Sequence, residues 1–224
     1  MDIKELAKMF DHTLLKADAT EDDFIHLCQE AKSIGVAMVA INSEPVRLCK
    51  KLLKGTDIHV GAAISFPLGQ TSLEVKLFET QKAIEDGADE IDYVVNIGKV
   101  KMGDFEYITK EMKSIVELCR QHQVISKVIF ENCYLEKDEI KKLAQIAKIV
   151  KPDFIKTSTG FGTGGALVED VKLMKSIVGD DVKVKAAGGI RDWKTCQQMI
   201  EAGASRIGTS HSLDILNDFK EKKN

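Results

Sequence analysis

Proline is nearly missing from this chain: three occur in 224 residues, and no low-complexity linker interrupts it. Nothing therefore marks a domain boundary. The expectation is one domain over residues 1–224, long enough to bury a full core. No CxxC pair occurs among the five cysteines, Cys28, Cys49, Cys119, Cys133 and Cys196. An odd, dispersed set argues against a disulfide framework and against a zinc site, so no metal is expected, and it suits a reducing cytoplasm. Neither sign of charge dominates: 32 Lys and Arg stand against 35 Asp and Glu, a formal net charge of -3. That balance gives no reason to expect nucleic acid or an anionic membrane as a partner. No uncharged apolar run reaches membrane-spanning length. The opening MDIKELAKMFDH is amphipathic and acidic, without the basic and apolar regions of a signal peptide.

What is present is a repeated alternation of short apolar runs with longer helical patterns. Strands are predicted at VAMVAI (36–41), IHVGAAI (58–64), EIDYVV (90–95), VISKVIF (124–130), DFIK (153–156), VKVKAA (182–187) and SRIG (205–208). An eighth, very short one fits FDHT (10–13), between an N-terminal helix and TEDDFIHLCQEAKSIG. Between strands the apolar spacing is i, i+3, i+4. In EVKLFETQKAIEDG it puts Val75, Phe78 and Ile84 on one side, with Gly87 as the stop; in EKDEIKKLAQIAKIV it picks out Ile140, Leu143, Ile146 and Ile149. Eight βα units in 224 residues leave about 28 residues each, which fits a compact (β/α)8 TIM barrel with a short extra N-terminal helix. An open doubly wound sheet is the main competitor, but no GxGxxG follows the first strand.

In such a barrel the working face is the carboxyl end of the strands. That rule singles out Asp92 within EIDYVV, Lys156 at the end of DFIK, and Lys185 near the end of VKVKAA. Alternation sends Lys183 and Lys185 the same way; if that way is inward, Lys185 lies near the top of the barrel and Lys183 near the bottom. Neighbouring strands run about 4.8 Å apart, close enough to bring the ammonium groups of Lys156 and Lys185 together. A free lysine, with a pKa near 10.4, is rarely neutral at pH 7. A second cation and partial desolvation lower that value and make the amine a nucleophile for a carbonyl, with Asp92 available for proton transfer. The plainer alternative is a solvated charge at a strand end. Glycine-rich or polar loops follow the last three strands: TSTGFGTGG, AAGGI and GTSH. In this fold, backbone N–H groups at those places bind phosphate.

These residues resemble the 2-deoxyribose-5-phosphate aldolases, class I enzymes on a (β/α)8 barrel. The resemblance runs through DHTLLKADAT (11–20), SFPLGQTSLEVK (65–76), GADEIDYVVNIG (87–98), DFIKTSTGFGTGGA (153–166), VKAAGGIRD (184–192) and RIGTS (206–210). It implies a lyase that reversibly cleaves 2-deoxy-D-ribose 5-phosphate to D-glyceraldehyde 3-phosphate and acetaldehyde, with no metal or other cofactor. It also implies Lys156 as the Schiff-base lysine, Lys185 as the cation that tunes it, and Asp92 as the proton-relay carboxylate. Asp11, with Thr13 close by, matches a position that helps hold the sugar end or its water network. Gly160, Gly188, Gly189, Gly208 and Ser210 match positions around the phosphate. Thr157 and Ser158 either donate to that phosphate or cap the following turn. Relatives of the bacterial type are often dimers, so a homodimer is the assembly the resemblance suggests. Other barrel readings are a different class I phosphosugar aldolase, an isomerase, which needs an acid–base pair but no paired lysines, or a silent phosphosugar-binding protein, which sits badly with Asp92, Lys156 and Lys185 all being present.

Smaller candidates have plain explanations. His12 at a strand end is more often structural than catalytic. Glu131 and Cys133 in FENCYL fit the lining of a pocket better than a base or nucleophile, since no histidine stands near Cys133. His211 takes a place where the family tends to have a small residue, beside the phosphate positions, to crowd it or donate to it. The tail NDFKEKKN has no tyrosine of the kind that reaches the site in some relatives, and KEKKN reads as a solvated end. Ala40, in VAINSEPV, stands where the family usually carries a cysteine associated with inactivation by aldehydes. The half-life of activity in concentrated acetaldehyde is accordingly expected to be longer for this chain than for its Ala40→Cys variant; an equal or shorter one would refute the expectation.

Overall fold

A computed structural model describes residues 1–222; Lys223 and Asn224, the end of the expected solvated tail, lie outside the described residues. Eight strands form: β1 (Phe10–Thr13), β2 (Met38–Asn42), β3 (His59–Ile64), β4 (Glu90–Val94), β5 (Ile125–Ile129), β6 (Phe154–Lys156), β7 (Lys183–Ala187) and β8 (Arg206–Thr209). Each pairs in parallel with the next and β8 closes on β1, so the sheet is a closed (β/α)8 barrel. A short helix, α1 (Ile3–Ala7), precedes it. The crossovers contain α2 (Glu21–Ile34), α3 (Val46–Leu52), α4 (Leu73–Glu85), α5 (Ile97–Lys101), α6 (Phe105–Gln121), α7 (Lys137–Val150), α8 (Val168–Val178) and α9 (Trp193–Glu201), and α10 (Ser212–Glu221) follows β8.

Polar residues set the helix ends. Thr20 and Asp23 form a capping box at the start of α2, and Gly35 ends that helix in the left-handed region at φ +69. Asp192 caps α9 by accepting from the Thr195 N–H. Outward-facing strand residues such as Val39, Ile41, Val60, Ile64, Ile91, Val128 and Ile155 are fully buried beneath these helices. The apolar core is therefore a shell between sheet and helices. The barrel interior is left to a different chemistry.

Two helix faces differ from the periodicity. In α4 the buried side is Leu73, Lys76, Thr80 and Ala83, while Val75 and Phe78 are 49% and 74% exposed and Ile84 is half-buried. In α7, Ile140, Leu143 and Ile146 are buried as expected, but Ile149 is 80% exposed in the last turn. The reason in α4 is an ion pair that apolar spacing cannot register. Lys76 Nζ donates to Glu111 Oε1 on α6 at 2.6 Å and to the Val94 carbonyl at 2.7 Å, and both side chains are fully buried. Glu111 also accepts the Asn96 N–H at 3.1 Å, so the pair fastens α4 and α6 to the end of β4.

Removing one member leaves a buried charge without its partner, which costs about 3–5 kcal/mol. Urea unfolding of Lys76→Met is expected to show a loss of that order, most of it regained in Lys76→Met/Glu111→Leu. A double variant as unstable as the sum of the two single ones would show that the pair is not coupled.

Candidate active site

Alternation along the strands turns Asp11, Glu90, Asp92, Lys127, Lys156, Lys185 and Arg206 into the barrel. Register then sets their heights: Asp92 lies opposite Lys127, Lys156 opposite Lys185, and Lys185 opposite Arg206. Six of these groups close a ring of alternating charge. Asp92 Oδ1 accepts from Lys127 Nζ at 2.6 Å, and Lys127 contacts Glu90. Arg206 Nη2 meets Glu90 Oε1 at 3.1 Å and Asp11 Oδ1 at 2.6 Å. Lys185 Nζ lies 2.5 Å from Asp11 Oδ2 and 2.6 Å from Asp92 Oδ2, completing the circuit. Three carboxylates thus balance three cations. The seventh group, Lys156, donates to Asp92 Oδ2 at 3.0 Å, on the oxygen that Lys185 already occupies.

That count decides the electrostatics. Burial pushes the Lys156 amine down; Asp92 opposes this and the Lys185 ammonium adds to it, leaving a pKa of about 8. Burial raises the Asp92 carboxyl, but the ammonium groups of Lys127, Lys156 and Lys185 outweigh it and hold it well below the usual carboxylate range. Lys127 is held above the ordinary lysine value by Asp92, Glu90 and Asp11, against the effect of burial. Lys183 is exposed below the ring, its ammonium 5.5 Å from the centre of the Phe154 ring, while Lys185 is buried above it.

Lys156 is mostly buried but opens onto a cavity of about 580 Å³ at the carboxyl ends of the strands. Thr13, Gly160, Gly188, Gly189, Gly208 and Ser210 line it, as do Thr159 and His211. Two glycines make this wall buildable. A Cβ on Gly165 would stand 2.3 Å from the Gly188 carbonyl oxygen, and one on Gly208 would meet Ala187 Cβ at 2.9 Å and Lys185 Cε at 3.1 Å.

Three sequence-selected residues sit elsewhere. Asp11 is fully buried below the cavity, where its carboxylate meets Lys185 and Arg206 rather than open space. Thr157 turns its hydroxyl to the Ala187 backbone, donating to the carbonyl at 3.2 Å and accepting from the N–H at 3.1 Å. Ser158 donates to the Thr157 hydroxyl at 3.1 Å and is itself buried. His12 is buried between Ser212 (3.0 Å) and Glu30 (3.1 Å), and burial lowers its pKa. His211 pairs with Asp214 at 2.8 Å on the cavity rim. Glu90, Lys127 and Arg206 were not singled out in the sequence. The signal was there: Glu90 lies two residues before Asp92, and Lys127 interrupts the apolar run VISKVIF.

Among the described residues no helix is long and apolar enough to cross a membrane, and no group of three or more His, Cys, Asp or Glu side chains is arranged to hold a metal ion. Residues 6–218 match the family described as DeoC/LacD family aldolase. A deoxyribose-phosphate aldolase of Lactobacillus acidophilus is 59% identical over 97% of this chain and 92% of its own length. One from Thermococcus gammatolerans is 50% identical over 95% of each. Among solved structures, the tetrameric deoxyribose phosphate aldolase from Aeropyrum pernix superposes with a TM-score of 0.91 at 32% identity, covering 99% of this chain and 93% of the other. With the barrel, the paired lysines and near-complete coverage all in agreement, the chain belongs to the DeoC/LacD family of aldolases.

Proposed function

We propose that this chain is a deoxyribose-phosphate aldolase that reversibly cleaves 2-deoxy-D-ribose 5-phosphate to D-glyceraldehyde 3-phosphate and acetaldehyde through a Schiff base on Lys156. The observation that carries the reading is the surplus cation: Lys156 is the one ammonium left over from a balanced ring of six charges, and it opens onto the cavity. A pKa of about 8 leaves roughly one amine in ten neutral at pH 7, against well under one in a thousand for an ordinary lysine.

The neutral amine adds to the C1 aldehyde of the open-chain sugar, and the carbinolamine loses water to form the iminium. Asp92, directly or through a water, carries away the C3 hydroxyl proton as the C2–C3 bond breaks. The C2–C3 electron pair becomes the C1=C2 bond of the enamine, the iminium nitrogen recovers its pair, and glyceraldehyde 3-phosphate leaves as the aldehyde. Protonation at C2 and hydrolysis release acetaldehyde and restore the amine. Asp92 Oδ2, shared between Lys156 and Lys185, is placed to pass protons between the two amines. It is too acidic to keep one. The phosphate fits the glycine-lined wall of Gly160, Gly188, Gly189, Gly208 and Ser210, with the N-terminus of α10 behind it. Thr13, which lines the cavity, is assigned to the sugar; Asp11 acts through Lys185, and Thr157 acts by fastening β6 to β7. The five free cysteines, four of them buried, suit the reducing cytoplasm in which we place the enzyme.

The deciding experiment is borohydride trapping with acetaldehyde, followed by peptide mapping. One reduced adduct on the Lys156 peptide, absent from Lys156→Ala, is expected; adducts scattered over surface lysines would sink the reading. The trapping rate should rise with pH and level off above a midpoint near 8. In Lys185→Met a neighbouring cation is gone and Asp92 is freer to hold the Lys156 ammonium, so the midpoint is expected to move to higher pH. A midpoint unmoved or lowered would show that Lys185 does not tune the amine.

A further inference from the structure

One buried carboxylate near the cavity takes no part in the ring. Glu131 follows β5, is 1% exposed, and adopts the left-handed region at φ +58, which is uncommon for any residue but glycine. It does not line the cavity that holds Lys156. Its carboxylate instead grips the loop after β6. Glu131 Oε1 accepts the Thr159 N–H at 3.0 Å and lies 3.9 Å from Cys133 Sγ, and Glu131 Oε2 accepts the Thr159 hydroxyl. The Thr159 hydroxyl in turn accepts the Phe161 N–H at 3.0 Å. Alongside, the Asn132 N–H donates to the Thr157 carbonyl at 2.9 Å. Gly162 closes the contact from the other side, where a Cβ would meet Cys133 Sγ at 2.6 Å and the Glu131 carboxyl carbon at 3.3 Å.

The gripped segment carries Thr159, Gly160 and Phe161, all three on the wall of the cavity that holds Lys156. A loop with several glycines has little stiffness of its own. Here two bonds from one buried carboxylate fix both the main chain and the hydroxyl of Thr159, and that hydroxyl orients the next turn.

We propose that Glu131 is a positioning residue for the phosphosugar: it acts through Thr159 to hold the loop 159–161 against the substrate, without touching the reacting carbonyl. The proposal rests on the aldolase reading given above. It separates two steps that a general loss of structure would not. Acetaldehyde, too small to need that wall, should still reach Lys156; the full sugar phosphate should bind less well.

The test compares Glu131→Gln, Thr159→Val and the double variant. For Glu131→Gln, trapping of acetaldehyde on Lys156 is expected within about twofold of the wild-type rate. KM for 2-deoxyribose 5-phosphate should rise roughly tenfold, the cost of about one charge-assisted hydrogen bond, while kcat changes less than threefold. The double variant should lose clearly less than the sum of the two single ones, because they share the bond between the Glu131 carboxylate and the Thr159 hydroxyl. Glu131→Asp, which keeps the charge but shortens the reach, should fall between Gln and wild type. An unchanged KM would overturn the proposal, as would additive losses or a parallel fall in trapping and cleavage. Should wild-type protein itself fail to trap acetaldehyde, the aldolase reading fails first, and that outcome is distinct from the others.

Discussion

The structure depends on how charge is balanced inside a closed barrel. Asp11, Glu90 and Asp92 face Lys127, Lys185 and Arg206 in a ring that water barely enters. Isolated ions there would be very costly, and each is tolerable only because two partners of opposite sign flank it. Lys156 comes on top of a set already neutral. Its ammonium can share only an oxygen that Lys185 is using. The depressed pKa is thus a consequence of stoichiometry and burial together, with the neighbouring cation acting less strongly than the loss of water.

Seen this way, the paired lysines have unequal tasks. Lys185 lies within the ring, bonded to two carboxylates, and is fully buried. Lys156 hangs at its edge, where the cavity begins. Lys127 belongs to the same arrangement: by holding Asp92 Oδ1 it leaves Oδ2 to the two upper lysines. His59 extends the network toward the opposite face, meeting Glu90 at 2.7 Å.

Around this rigid floor the carboxyl-end loops are tied to one another rather than to the core. Thr157 bridges β6 to β7 through the Ala187 backbone, Ala166 donates to the Gly188 carbonyl at 3.0 Å, and Glu131 grips Thr159 from the loop after β5. The glycine contacts at 165 and 188 need backbone to touch backbone. A wall made in this way can present N–H groups to an anion while the charged interior stays closed beneath it.

The eight strands were legible from sequence because each is a short apolar run between helical patterns, and FDHT at 10–13 was located to the residue. The alternation around Asp92, Lys156 and Lys185 was legible too, since period two fixes which residues share a face whatever the partners are. Partners are another matter. Lys76 reads as a solvent-facing residue in EVKLFETQKAIEDG, yet it is buried because Glu111 and the Val94 carbonyl, far apart in the chain, converge on it. Asp11 matches a family position at the sugar end or its water network, but its pairing with Lys185 arises only when β8 closes on β1. The sequence alone determined which elements form and which side chains turn inward, because those are matters of local period and propensity. Tertiary structure decided the register that sets six charges in a ring and leaves Lys156 outside it, because charge balance is settled only when the strands have met.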